Sequence, residues 1–204
     1  MFDRRCLPLL ACAATLLLAA AVVAQEPIVS TFASDDEGWE ASGGMLSYQA
    51  SAGNPGGYVE FEDLETGLGF VVAPTAFLGD LSAYDGGALK FDLKSTLDNG
   101  EVMLEAFGWV SLESGPIAID LDVTPRAFLE DWTTITVPLT ADAWEQLPED
   151  WALLLTNVTA IRIYIDAQDG TGDRVGMDNC RITPAGMVPV EPQRWGTLKK
   201  SFAP

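Results

Sequence analysis

Between Leu89 and Lys94 the chain alternates without a break: Leu89, Phe91 and Leu93 are apolar, and Lys90, Asp92 and Lys94 are charged. A side-chain period of two describes a strand with one buried and one wet face. The pattern recurs along the chain. Ile28 to Phe32, Met45 to Gln49, Tyr58 to Glu62, Ile117 to Val123 and Ile161 to Asp166 all read as strands. Trp132 to Leu139 is rich in β-branched residues and closed by Pro138, Phe70 to Ala73 runs into Pro74, and Val175 to Ile182 ends the series. Asp98-Asn99-Gly100 is a turn signal, across which Val102 to Phe107 is expected to pair back as a further strand. Only Ala141 to Leu155, interrupted by Pro148, reads as helical. A doubly wound α/β fold needs helices between its strands, and this chain does not supply them. Short strands separated by turn residues predict an all-β, antiparallel β-sandwich of jelly-roll type, with a short helical insert before the last two strands.

One segment interrupts the alternation in a useful way. Phe77, Leu78, Leu81 and Tyr84 recur at helix-like spacing just before the Asp85-Gly86-Gly87 turn, and predict an apolar knot that plugs onto the sheet. The ends of the chain have a different composition. A short basic start precedes the apolar run from Leu7 to Val23, and Val22-Val23-Ala24 places small residues where a signal peptidase reads. Residues 1–24 are therefore expected to be a signal peptide, 25–184 the folded domain, and 185–204 a Pro-punctuated linker with a short tail. In that tail Trp195, Leu198 and Phe202 share one helical face, which suits docking to a surface or to the chain's own domain. Cleavage leaves Cys180 as the only thiol, so the mature chain has no internal disulfide, and Cys180 is expected to pack in the core.

Charge and composition exclude several functions. Eleven basic residues face 30 acidic ones, for a net charge of −19. A surface of that sign repels nucleic acid and anionic bilayers, and no membrane span is expected in the mature chain. The chain has no histidine. Ser-His-Asp and Cys-His catalysis and histidine zinc sites are thereby removed. Hydrolysis by a carboxylate pair is the enzymatic route that remains, with Glu105 and Glu113 as the least arbitrary pair.

The order of several short motifs resembles the laminin IV (laminin B) domain. They are Gly56-Gly57-Tyr58, Val72-Ala73-Pro74, Phe77-Leu78-Gly79-Asp80, and Tyr84 with Gly86-Gly87-Ala88-Leu89. Further on come Leu104 to Gly108, Phe128 before Trp132, Leu153 to Ile163, and Met177-Asp178-Asn179. The resemblance spans roughly Phe32 to Ile182. It implies a galactose-binding-like jelly roll outside the cell, with no catalytic residues to carry over. Laminins surround this domain with disulfide-rich epidermal-growth-factor-like repeats, and this chain has none.

Jelly rolls of the kind it resembles often pin their first and last strands with one Ca²⁺. Asp35, Asp36 or Glu37 with Asp178 would supply the oxygen ligands in the corresponding places. The segment Asp166 to Asp173 fails the EF-hand template and reads as a polar hairpin loop. For a sugar, alternation places Arg162, Tyr164 and Asp166 on the face opposite Ile161, Ile163 and Ile165, an aromatic flanked by a cation and a carboxylate. Trp39 and Trp132 are assigned to the core. The reading is a secreted or cell-surface, non-catalytic binding or structural module with a glycan or surface-matrix ligand and a structural calcium. The alternative is a carboxylate-dependent glycan-active enzyme.

Overall fold

The computed structural model describes residues 25–123, 125 and 127–186. The leader expected over 1–24 and the amphipathic end of the tail lie outside the described residues. Eleven strands form two antiparallel sheets. The larger contains β3 (Gly44–Gly53), β4 (Gly56–Asp63), β11 (Arg174–Thr183), β6 (Ala88–Leu97) and β9 (Thr133–Pro138) in that order, and β1 (Ile28–Ser30) also pairs with β11. The smaller runs β2 (Glu40–Ser42), β5 (Phe70–Val72), β10 (Ala160–Tyr164), β7 (Val110–Ser114) and β8 (Ile117–Leu121). This is the sandwich that the alternation requires, with the sheets packed on their apolar faces. Val59, Phe61, Phe91, Leu93, Val175 and Met177 from the larger sheet, and Val71, Val110, Leu112, Ile161 and Ile163 from the smaller, are fully or almost fully buried.

The apolar knot behaves as expected. Short 3₁₀ turns at Thr75–Phe77 and Ser82–Tyr84 bury Phe77, Leu81 and Tyr84, and Trp39 meets Phe77 edge to face at 5.3 Å. Backbone bonds fix the plug in place: Leu81 N–H donates to Leu155 O, and Gly79 and Val158 exchange N–H···O bonds, each at 2.8 Å. A Cβ on Gly87 would lie 2.0 Å from Thr183 O, so only glycine allows the turn to approach the end of β11. Cys180 is fully buried, in the core as expected.

Two expectations are corrected. Val102 to Phe107 is not a strand. Tight turns (Phe107 N–H to Leu104 O, Trp109 N–H to Ala106 O) curl the segment, and only Met103 makes an isolated bridge, to Gln168. Pro148 does not interrupt a helix but starts one. The helix α1 (Pro148–Leu155) opens with Pro in its first turn, where the missing N–H costs nothing. Leu147 before it is extended, as the residue preceding proline prefers. Glu149 and Asp150 then face the positive end of the helix dipole.

Candidate functional site

Alternation on β4 sends Val59, Phe61 and Asp63 inward and Tyr58, Glu60 and Glu62 outward. On β11 it sends Arg174 and Gly176 outward, and on β6 Lys90, Lys94 and Thr96. Tyr58 points to the outer side, yet it is only 9% exposed, because Trp132 lies against it edge to face at 5.4 Å. Both rings sit over Gly176, where a Cβ would come within 2.9 Å of each. The Trp132 indole N–H reaches across the sheet to Ala52 O at 3.1 Å. The assignment of Trp132 to the core is thus corrected. Just before β9 it continues the outward positions of Thr134 and Thr136, opposite to the buried Ile135 and Val137, and half-buries itself on the outer face.

The polar groups around this pair are already ordered. Glu60 accepts from the Tyr58 hydroxyl at 3.3 Å and from Thr96 Oγ1 at 2.7 Å, and Arg174 pairs with Glu62 at 2.8 Å. Beyond them, the tip of the β3–β4 hairpin folds over the sheet. Asp92 accepts from Asn54 Nδ2, Asn179 Nδ2 and Thr134 Oγ1 at 3.0, 2.9 and 2.6 Å. Asp178 accepts from the Asn54 and Asn179 backbone N–H groups. All four carboxylate oxygens are therefore satisfied, so these two acids form a structural lattice that holds the hairpin down. Among the described residues the basic side chains are Lys90, Lys94, Arg162, Arg174 and Arg181, and all but Arg162 belong to this outer face. Four positive charges there stand with Glu60, Glu62, Asp92 and Asp178. On a chain of net charge −19, this face is locally balanced.

The sugar contact expected on the other sheet is only partly assembled. Arg162 and Tyr164 do share the outer face of β10. The Arg162 guanidinium lies 5.3 Å from the centre of the Phe70 ring and is ion-paired with Glu113, and Tyr164 packs on Phe70 at 5.5 Å. Burial, and then the Asp120 carboxylate, push the Tyr164 phenol upward. Asp166 leaves that face. The strand ends at Tyr164, the Ile165 and Asp166 N–H groups both turn to Gly69 O, and the Asp166 side chain is 2% exposed.

For the expected calcium ligands, the geometry is that of a capped turn. Asp35 accepts from Glu37 N–H, Asp36 from Gly38 N–H, and Glu37 from Thr31 and Ala33 N–H, all at the surface. Asp178 lies in the hairpin lattice, within electrostatic reach of Glu37. Among the described residues one group of three acids brings a carboxylate oxygen from each within 4.8 Å of the others: Asp63, Asp166 and Asp173. Asp166 and Asp173 bracket the segment expected to be a polar hairpin loop; it instead joins β10 of the smaller sheet to β11 of the larger, and both its acidic ends are buried, as is Asp63. The exposures of Asp63, Asp166 and Asp173 are 0%, 2% and 1%. Asp63 Oδ1 accepts from Glu65 N–H, Asp166 Oδ2 from Gly69 N–H, and Asp173 Oδ2 from Ala167 N–H, at 3.1–3.2 Å. The other oxygen of each has no partner. Burial raises all three pKa values, Asp166 to about 7, with repulsion from Asp173 and Asp63 adding to its shift.

Comparison with known proteins agrees with this architecture. The L4b domain of human laminin alpha-2 is 16% identical, with 57% of this chain and 70% of that chain aligned and a TM-score of 0.46. The CBM22-1 xylan-binding domain of Paenibacillus barcinonensis Xyn10C is 11% identical, over 81% of this chain and 100% of that one, at a TM-score of 0.50. An exo-beta-agarase is 13% identical over 80% of this chain and 26% of its own, at 0.54. No curated protein sequence matches the chain. The model of the family Laminin B (Domain IV) matches residues 70–194. More than half of the 204 residues are covered, and the chain belongs to the laminin B (domain IV) family.

Proposed function

We propose that this chain is an extracellular, non-catalytic module that binds an uncharged polysaccharide strand across the outer face of its larger sheet. The observation that carries the reading is the Tyr58–Trp132 pair seated on Gly176, on a face that gathers four of the five basic side chains among the described residues. A half-buried indole held by a hydrogen bond to Ala52 offers a rigid apolar surface to a sugar ring at little entropic cost. Glu60, Glu62, Lys94, Thr96 and Arg174 supply donors and acceptors beside it for hydroxyl groups. An anionic polymer would meet the surrounding negative field, which disfavours it. Secretion fits the leader-like start of the sequence and the surface on which such polymers are found. Among the described residues no helix is long and apolar enough to cross a membrane.

Xylan is a suitable probe, because a similar jelly roll from Paenibacillus barcinonensis is described as xylan-binding, and mixed-linkage β-glucan is a second neutral polymer to set beside it. Titration calorimetry on the wild type should show binding to at least one of them, with no reducing ends released over hours. Trp132→Ala should weaken that binding about tenfold or more, the loss of one well-packed aromatic contact. Its melting temperature should stay within a few degrees. Absence of binding to every neutral glycan tested, or full binding by Trp132→Ala, would refute the reading.

A further inference from the structure

We propose that Asp63, Asp166 and Asp173 hold one calcium ion inside the sandwich. The inference does not rest on glycan binding, and its test reads stability and ion stoichiometry. One carboxylate from the end of β4 and two from the ends of the 166–173 loop meet where water does not reach. Asp63 ends β4, Asp166 follows β10, and Asp173 precedes β11. Each is oriented by a backbone N–H on one oxygen and presents a second oxygen with no donor. The lattice at Asp92 and Asp178 on the outer face is a contrast, because every carboxylate oxygen there has a partner. Three like charges in a dry space repel one another, and a divalent cation removes that cost.

The donor set selects the ion. All three ligands are hard carboxylate oxygens, with no sulfur or imidazole to favour a transition metal. Calcium takes six to eight such oxygens at about 2.3–2.6 Å in flexible geometry, which suits carboxylates contributed by a strand end and two loop ends. Magnesium demands near-ideal octahedral geometry at about 2.0–2.1 Å and keeps several of its waters, which a closed space does not supply. Bound there, the ion ties the larger sheet, through β4 and β11, to the loop leaving β10 of the smaller one. It also lies directly behind Glu62 and Arg174, the next residues in sequence on the outer face.

The full chain is freed of metal with a chelator, then melted while calcium is titrated, and the number of bound ions is measured by calorimetry. We expect one ion per chain and a rise in Tm of roughly 5–10 °C at about 100 times the dissociation constant. Asp166→Asn and Asp173→Asn should lose that rise. Each should also melt no lower than the metal-free wild type, because each removes a repelling charge without changing shape. The pair Asp35→Asn with Asp36→Asn should keep the full response. A wild type indifferent to calcium, a response retained in both Asp166→Asn and Asp173→Asn, or one lost in the Asp35/Asp36 variant would each overturn the proposal. An equal response to magnesium would overturn the choice of ion. Should one buried variant fail to fold, the stoichiometry on the wild type and the remaining variant decide.

Discussion

Phe61→Ala should destabilise the domain by about 3–5 kcal/mol, the range for removing a large side chain from a packed core. Phe61 is fully buried, and its ring stands where two glycines have no side chain: a Cβ on Gly44 would meet it at 2.5 Å and one on Gly69 at 2.3 Å. Gly44 starts β3 in the larger sheet, and Gly69 leads into β5 in the smaller one. The ring therefore fills the gap between the layers. Deleting it leaves a void walled partly by glycine backbone, which has no side chain to collapse inward. The midpoint of urea unfolding should fall while the m-value holds. Phe70→Ala is the contrast, because Phe70 faces outward on β5 and packs on Arg162 and Tyr164. If Phe61→Ala cost no more than Phe70→Ala, this account of the core would be wrong. Gly69→Ala should also destabilise, by about 1–3 kcal/mol through overpacking, and less so in the Phe61→Ala background, where the space is free.

The sandwich was legible because its signal is local. Leu89 to Lys94 states its own faces, and so does Tyr58 to Glu62, whatever the rest of the chain does. The plug at Phe77–Tyr84 was legible for the same reason. Val102 to Phe107 was misread because alternation alone cannot show that Gly108, at φ 91°, lets the chain curl back on itself. The candidate sites depend on contacts between distant segments, and they were harder to see. Trp132 looked like the first residue of a core strand, although Ile135 and Val137 fix the inward parity and leave position 132 outside with Thr134 and Thr136; only the reach of its indole to Ala52 depends on a distant segment. The buried acids left a partial trace. Asp63 continues the inward positions of Val59 and Phe61, and Asp173 those of Val175 and Met177, so two acids fell on the core side of their strands. A carboxylate at an inward position is a reason to look for a partner. Asp166 carried no such mark, since its strand stops two residues earlier.

Without calcium, the stability of this chain should fall as pH rises from about 4 to about 7, the reverse of the usual acid lability. The folded-state pKa of Asp166 is raised from 3.8 to about 7, so across that interval the folded chain holds a proton that the unfolded chain has lost. Stability then declines with pH, because the native state binds more protons. At 1.36 kcal/mol per unit, the shift corresponds to an upper limit on the order of 4 kcal/mol. Asp63, Asp173 and Asp178 are shifted the same way by burial and add to the slope. Asp80 and Asp98 are lowered by hydrogen bonds to Ser82 and to Gln168, and their contribution is lost only as pH falls below the ordinary carboxylate range. Urea midpoints at pH 5, 6, 7 and 8 in calcium-free buffer should decrease in order, and Asp166→Asn should flatten the series. Adding saturating calcium should reverse the slope, since protons then compete with the ion for the same oxygens. A flat or rising calcium-free profile would show that burial does not raise these carboxyl pKa values in the folded chain.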